Sequence, residues 1–225
     1  MNYTREDFEN GQVLLINKPL EWTSFDVIQQ LRYIIKIRKI GHAGTLDPLA
    51  TGLLIICTGK FTKKINEYMA QEKEYTGTFT LGATTATYDR ESVPENIKPF
   101  LHLTEEEIKI ATATFTGEIQ QVPPAHSAIK IGGKRVYELA RQGIAVKLEP
   151  RKVTIKEFEI TNIELPVIHF RVVCSTGTYI RSLAKDFGEL LGCGAYLSSL
   201  CRTRIGEFSV TDALSVEDIS KRMKK

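Results

Sequence analysis

Residues 41–52 read Gly41-His42-Ala43-Gly44-Thr45-Leu46-Asp47-Pro48-Leu49-Ala50-Thr51-Gly52, three glycines around one carboxylate. An aspartate before proline in a loop is ordinarily a turn former. Its surroundings argue for more. From Arg32 to Lys64 the chain holds Arg32, Lys36, Arg38, Lys39, Lys60, Lys63 and Lys64 against Asp47 alone, which leaves the segment at +6. An acid among cations weakens a polyanion site, so Asp47 points to work on something other than phosphate. A carboxylate can serve as nucleophile, general base or metal ligand; with no partner carboxylate nearby, the metal role is disfavoured. To stay ionised in a crowded pocket it needs a cation that offsets desolvation. Arg181, in Ser175-Thr176-Gly177-Thr178-Tyr179-Ile180-Arg181, is one candidate.

Outward from this loop the periodicity changes. Gln12 to Asn17 is a short apolar run ending at Lys18-Pro19, a strand and a turn. Thr23-Ser24 offers a helix cap ahead of Phe25, Val27, Ile28, Leu31, Ile34 and Ile35 at helical spacing. Leu53 to Cys57 returns to a strand, and Lys73 to Leu81 alternates as a half-buried strand does. The piece from Ala83 to Phe100 reads as a loop. Thr104 and three glutamates start a helix that Gly117 stops. Gly132-Gly133 predicts a hairpin turn, and Arg135 to Gln142 a short helix. Lys152 to Ser175 predicts two or three strands broken at Pro166, Thr178 to Leu191 a helix, and Tyr196 to Phe208 a strand pair. Ser215 and Asp218, in capping-box spacing, begin a terminal helix.

Strands and helices are interspersed without regular βαβ alternation, so the expected class is α+β with a mixed, largely antiparallel central sheet flanked by helices. The expected organisation is a solvated N-terminal arm over residues 1–11, carrying Glu6, Asp7 and Glu9, and one domain over 12–225, with an inserted lobe at about 95–150. The 225 residues are 42% hydrophobic, 25% charged and 8% aromatic, globular proportions that exclude disordered and collagenous classes. Cys57, Cys174, Cys193 and Cys201 form no CxxC pair, so reduced cytoplasmic thiols are expected rather than zinc ligands or disulfides. No apolar run reaches the length of a membrane span, and no membrane association is expected.

The small net charge of +3 conceals a second basic block. Lys130, Lys134, Arg135, Arg141, Lys147, Arg151, Lys152 and Lys156 face only Glu138 and Glu149, again +6. Acids from Asp89 to Glu107 compensate. Two such blocks suggest a polyanion-binding face. Phosphate-loop, dinucleotide, nucleophile-elbow and zinc-protease motifs are absent, and His42, His102, His126 and His169 lack metal-ligand spacing.

Together these residues resemble the TruB family of tRNA pseudouridine synthases, from about Val13 to about Thr211. Leu14 to Ser24, LLINKPLEWTS, resembles the family's Lys-Pro motif, and residues 41–52 its catalytic motif. Lys73-Glu74-Tyr75 fits the stretch with the active-site tyrosine, residues 121–143 the RNA-contacting region, and residues 174–208 the Gly-Thr-Tyr-Ile-Arg segment and following strand. The resemblance implies that the T-loop uridine at tRNA position 55 is isomerised after base flipping. It implies Asp47 as the catalytic aspartate, Arg181 as its salt-bridge partner and Tyr75 as the ring stacked on uracil. Tyr179 and Leu200 would line the uridine pocket, His42 would enter the space of the flipped nucleotide, and Lys18 would support the active-site architecture near the Lys-Pro turn.

Lys130, Lys134, Arg135, Arg141 and Lys64 are candidate contacts to the RNA backbone. Neither cofactor nor metal is expected, the partner is the tRNA T stem-loop without guide RNA, and the chain is expected to be a monomer. A C-terminal PUA domain is expected to be absent. Two rivals remain: a phosphatase using Asp47, which would normally carry a second Asp where Leu49 stands, and a non-catalytic tRNA-binding or folding protein.

Overall fold

The computed structural model describes residues 3–125, 130–131, 134–135 and 148–223. In chain order the helices are α1 (Arg5–Asn10), α2 (Ser24–Ile35), α3 (Ile65–Ala70), α4 (Glu105–Ala111), α5 (Ile180–Leu190) and α6 (Val216–Lys221). The strands are β1 (Val13–Lys18), β2 (Ile40–His42), β3 (Ala50–Thr58), β4 (Lys73–Leu81), β5 (Gly117–Gln121), β6 (Lys130–Ile131), β7 (Lys134–Arg135), β8 (Arg151–Glu164), β9 (Val167–Cys174), β10 (Ala195–Ile205) and β11 (Phe208–Ser209). The chain divides into two compact units, Met1–Thr76 with Leu200–Lys225, and Gly77–Ser199. Both divisions fall inside strands, β4 and β10.

In the first unit β3 is central. It pairs antiparallel with β1, from Val13 opposite Cys57 to Lys18 opposite Gly52. Its other edge takes β2 antiparallel at one end and β10 parallel at the other, where Leu200, Cys201 and Arg202 face Ala50, Thr51 and Gly52. The sheet is therefore mixed. Alternation divides its side chains between two cores. Leu14, Ile16, Leu54 and Ile56 pack with Val27, Ile28, Leu31 and Ile35 of α2 and Val216 and Ile219 of α6. Leu53, Ile55 and Cys57 pack with Ala43 and Ile205, under Phe61, Tyr68 and Phe208. The unbroken apolar run of β3 follows from this burial on both faces.

Capping decides where α2 and α6 begin. Thr23 accepts the Asp26 amide while Asp26 reaches back to Thr23, and Ser215 and Asp218 do the same. Each box satisfies two otherwise unpaired amides, and such an N-cap side chain contributes about 1 kcal/mol.

Residues 5–10, expected in a solvated arm, instead form α1, capped by Thr4 and Asp7, and Phe8 is fully buried. The acids that suggested solvation are first-turn residues favoured by the helix dipole. The loop around Asp47 is also shorter than residues 41–52, because β2 and β3 take both of its ends.

The second unit carries the strand order β4-β9-β8-β5, with β8 antiparallel to both β9 and β5. Phe79, Phe115, Phe158, Phe170 and Phe187 form its aromatic core, with Phe79 and Phe170 centroids 4.2 Å apart. Burying such a ring stabilises by about 1.5–3 kcal/mol. Two strands, β8 and β9, occupy the region read as two or three. The paired strands β6 and β7 flank Gly132-Gly133; those glycines and most of the expected helix over Arg135 to Gln142 lie outside the described residues.

Candidate active site

Asp47 sits in the first unit, half-buried, on the short connection between β2 and β3. Three nearly buried side chains grip the backbone on both sides of it. Arg202 donates from Nη2 to Gly44 O at 3.1 Å, from Nη1 to Thr45 O at 3.5 Å and from Nε to Leu53 O at 2.8 Å. Ser24 Oγ accepts the Leu46 amide at 2.9 Å and donates to Leu46 O at 3.2 Å. Lys18 Nζ donates to Pro19 O at 2.8 Å, Trp22 O at 2.5 Å and Pro48 O at 3.3 Å. Asp47 O accepts the Ala50 amide at 3.1 Å, which closes the turn.

The Lys18 ammonium is fully buried. Burial pushes its pKa down to about 8; the carboxylates of Asp47 and Asp26 oppose that fall, and the Arg202 guanidinium adds to it. The same guanidinium acts on His42, whose pKa falls first through burial and then through Arg202, with the Gly44 backbone opposing. The imidazole is therefore biased neutral.

Tyr75 is 9% exposed on β4, and Leu200, half-buried, stands opposite Ala50 while its carbonyl accepts from Thr51 Oγ1 at 3.4 Å. Lys64 is exposed, with Nζ 4.6 Å from the Phe61 ring centroid. Lys130, Lys134 and Arg135 fall in β6 and β7, but their side chains, together with all of Arg141, lie outside the described residues.

Arg181 and Tyr179 belong to the second unit, at the start of α5. Gln121, on β5, clamps that start: its Oε1 accepts the Tyr179 amide at 2.8 Å and its Nε2 donates to Tyr179 O at 3.1 Å. Arg181 lies 3.6 Å from Asp89, both side chains 6% exposed, and its Nη1 donates to Thr87 O at 3.4 Å. Asp89 is held in turn by Thr87 Oγ1 at 2.6 Å and the Glu91 amide at 2.9 Å.

Four residues of this arrangement escape sequence reasoning. Asp89 reads as one more acid of a solvated stretch, yet it is buried. Ser24 reads as part of a helix cap, whereas Thr23 is the cap and Ser24 turns inward. Arg202 and Gln121 sit inside matched segments, and their signal is a polar residue at an inward strand position. Among the described residues, no cluster of His, Cys, Asp and Glu fits a metal ion.

A family model described as TruB family pseudouridylate synthase (N terminal domain) matches residues 32–180, and one described as tRNA pseudouridylate synthase B C-terminal domain matches 181–225. A curated protein of Flavobacterium johnsoniae named tRNA pseudouridine synthase B is 55% identical over 220 residues, covering 95% of this chain and 96% of its own. Its namesake in Parabacteroides distasonis is 51% identical over 219 residues, with 95% and 93% covered. Among solved structures, a Cbf5-Nop10-Gar1 complex contains a chain 30% identical with TM-score 0.75, covering 95% of this chain and 54% of that one. A chain of an H/ACA RNP bound to a substrate RNA containing 2'-deoxyuridine is 26% identical with TM-score 0.71, covering 98% and 57%. This chain thus spans about half the length of those two chains.

Proposed function

Because the chain belongs to the TruB family of pseudouridylate synthases, we propose that it is a tRNA pseudouridine synthase that isomerises the T-loop uridine at position 55, acting without guide RNA. Relatives matched over nearly their whole length carry the name tRNA pseudouridine synthase B, which supports tRNA as substrate. The observation that carries the chemistry is the Asp47 loop, held rigid by charged and polar side chains on either side of one half-buried carboxylate.

The reaction breaks the N1–C1′ bond, rotates the uracil and forms a C5–C1′ bond. The C5 proton leaves and N1 gains one, so atoms and electrons balance with no redox partner and no cofactor. A stacked uridine is out of reach, so the base is flipped at a cost of a few kcal/mol, offset by stacking and polar contacts. Tyr75 supplies the stacking face, Leu200 and Tyr179 the pocket walls, and neutral His42 the filler of the space left behind. Asp47 attacks C1′ or C6, or removes a ribose proton to give a glycal, with Arg181 as the cation that keeps it ionised. Lys64 and the second basic block bind the RNA backbone. Four free cysteines, three of them buried, are consistent with a reducing cytoplasm.

The test is release of tritium from tRNA labelled at uridine C5. Asp47→Asn should abolish release while tRNA binding persists; retained turnover removes Asp47 from the chemistry. A wild-type protein that binds tRNA but releases no tritium would favour the tRNA-folding reading instead.

A further inference from the structure

The backbone around Asp47 is held by side chains at almost every residue, and none of those bonds involves the carboxylate. Arg202 takes the carbonyls of Gly44 and Thr45, Ser24 takes both the amide and the carbonyl of Leu46, and Lys18 takes the carbonyl of Pro48. Arg202 is 1% exposed and Ser24 2% exposed. A buried guanidinium is costly, and an apolar side chain of similar volume would ordinarily fill such a place at less cost. Among the described residues no carboxylate lies within ion-pair distance of Arg202, so its acceptors are main-chain carbonyls, two of them in the loop. Pairing of β10 with β3 is already made by backbone at Leu200 to Arg202. The guanidinium is not needed for it.

We propose that Ser24 and Arg202 are positioning residues of this enzyme. They hold Gly44 to Leu46 from one side while Lys18 holds Pro48 from the other, and so fix where Asp47 presents its carboxylate to the flipped nucleotide. A displacement of about 1 Å at a reacting group can cost a hundredfold in rate. Ser24 is the finer probe, because one hydroxyl serves both polar groups of the residue next to Asp47. The proposal rests on Asp47 being the reacting group, as read above.

The experiment compares Ser24→Ala, Ser24→Cys and Arg202→Lys with wild type and Asp47→Asn. Single-turnover tritium release at saturating enzyme reports the chemical step, and filter binding reports tRNA affinity. Hydrogen exchange over residues 42–50 reports the loop without any need for activity. Ser24→Ala and Ser24→Cys should lower the single-turnover rate by about tenfold or more, leave tRNA affinity within about twofold, and speed exchange in that peptide. Arg202→Lys keeps the charge but loses the three-pronged reach, and should do the same. Wild-type rate and wild-type exchange in Ser24→Ala would overturn the proposal, as would an equal loss of affinity and rate. If wild type itself releases no tritium, or Asp47→Asn does so freely, the proposed function fails instead; the two failures are separable.

Discussion

Gly52 stands opposite Arg202 in the parallel pairing of β3 with β10, so close that a Cβ at position 52 would lie 2.7 Å from Arg202 N and nearer still to its carbonyl oxygen. Its φ of +100° is in the region that favours glycine. This β3 glycine, the last of the Asp47 motif, therefore answers to the strand carrying the loop's guanidinium clamp. Gly52→Ala must separate two backbones and strain one of them. It should destabilise the protein by about 3 kcal/mol, measured by urea unfolding, and its residual turnover should fall even at temperatures where it is folded.

Lys18 couples the same loop to pH. Its pKa in the folded protein is about 8, against an ordinary 10.5. Between those values the unfolded chain holds a proton that the folded chain has released, so this lysine's contribution to stability rises with pH through that window and is lost as pH falls through about 8. Turnover should move the other way. Loss of the ammonium removes a donated hydrogen and the charge behind the bonds to Pro19, Trp22 and Pro48. The expected pH profile of kcat declines above about 8 while thermal stability does not, and Lys18→Met should run low with that decline abolished.

Asp89 gives the second unit its own test. Its Oδ1 accepts from Thr87 and Glu91, and its Oδ2 faces Arg181 across 3.6 Å in a buried setting. Removing one member of a buried pair leaves charge poorly compensated, a cost of about 3 kcal/mol or more. Asp89→Ala should show that loss in chemical unfolding, and turnover should fall with it as Arg181 loses an orienting charge. Asp89→Asn keeps the one oxygen that accepts from Thr87 and Glu91 but sets an amide NH2 against Arg181, and should recover part of the stability but less of the turnover.

What the sequence makes legible follows from where each signal resides. The apolar runs of β1 and β3, the cap residues ahead of α2 and the capping-box spacing of α6 are local signals, and each of these elements is found where expected. Helix α1 is masked by its own acids, since Glu6 and Asp7 advertise solvent while Phe8 alone turns inward. Asp89 is hidden among exposed acids such as Glu91 and Glu95, because its pairing with Arg181 joins residues far apart in the chain. Ser24 and Arg202 are harder still. Their partners are carbonyls and an amide, groups every residue carries, so the sequence does not say what they hold before the fold brings the partners together.

Tyr75 separates stacking from proton transfer. It is 9% exposed, so only a sliver of the side chain meets solvent, which one planar base can cover. A phenol so placed can stack through its ring and accept or relay a proton through its oxygen, and single substitutions divide the two roles. Tyr75→Phe keeps the face and loses the oxygen; Tyr75→Leu loses both. If the hydroxyl helps remove the C5 proton, Tyr75→Phe should bind tRNA as wild type does but turn over at least about a hundredfold more slowly, the ordinary worth of a positioned acid–base group. Tyr75→Leu should lower affinity as well. Full activity in Tyr75→Phe, measured by tritium release, would leave stacking as the tyrosine's whole contribution and move the final proton transfer to another group.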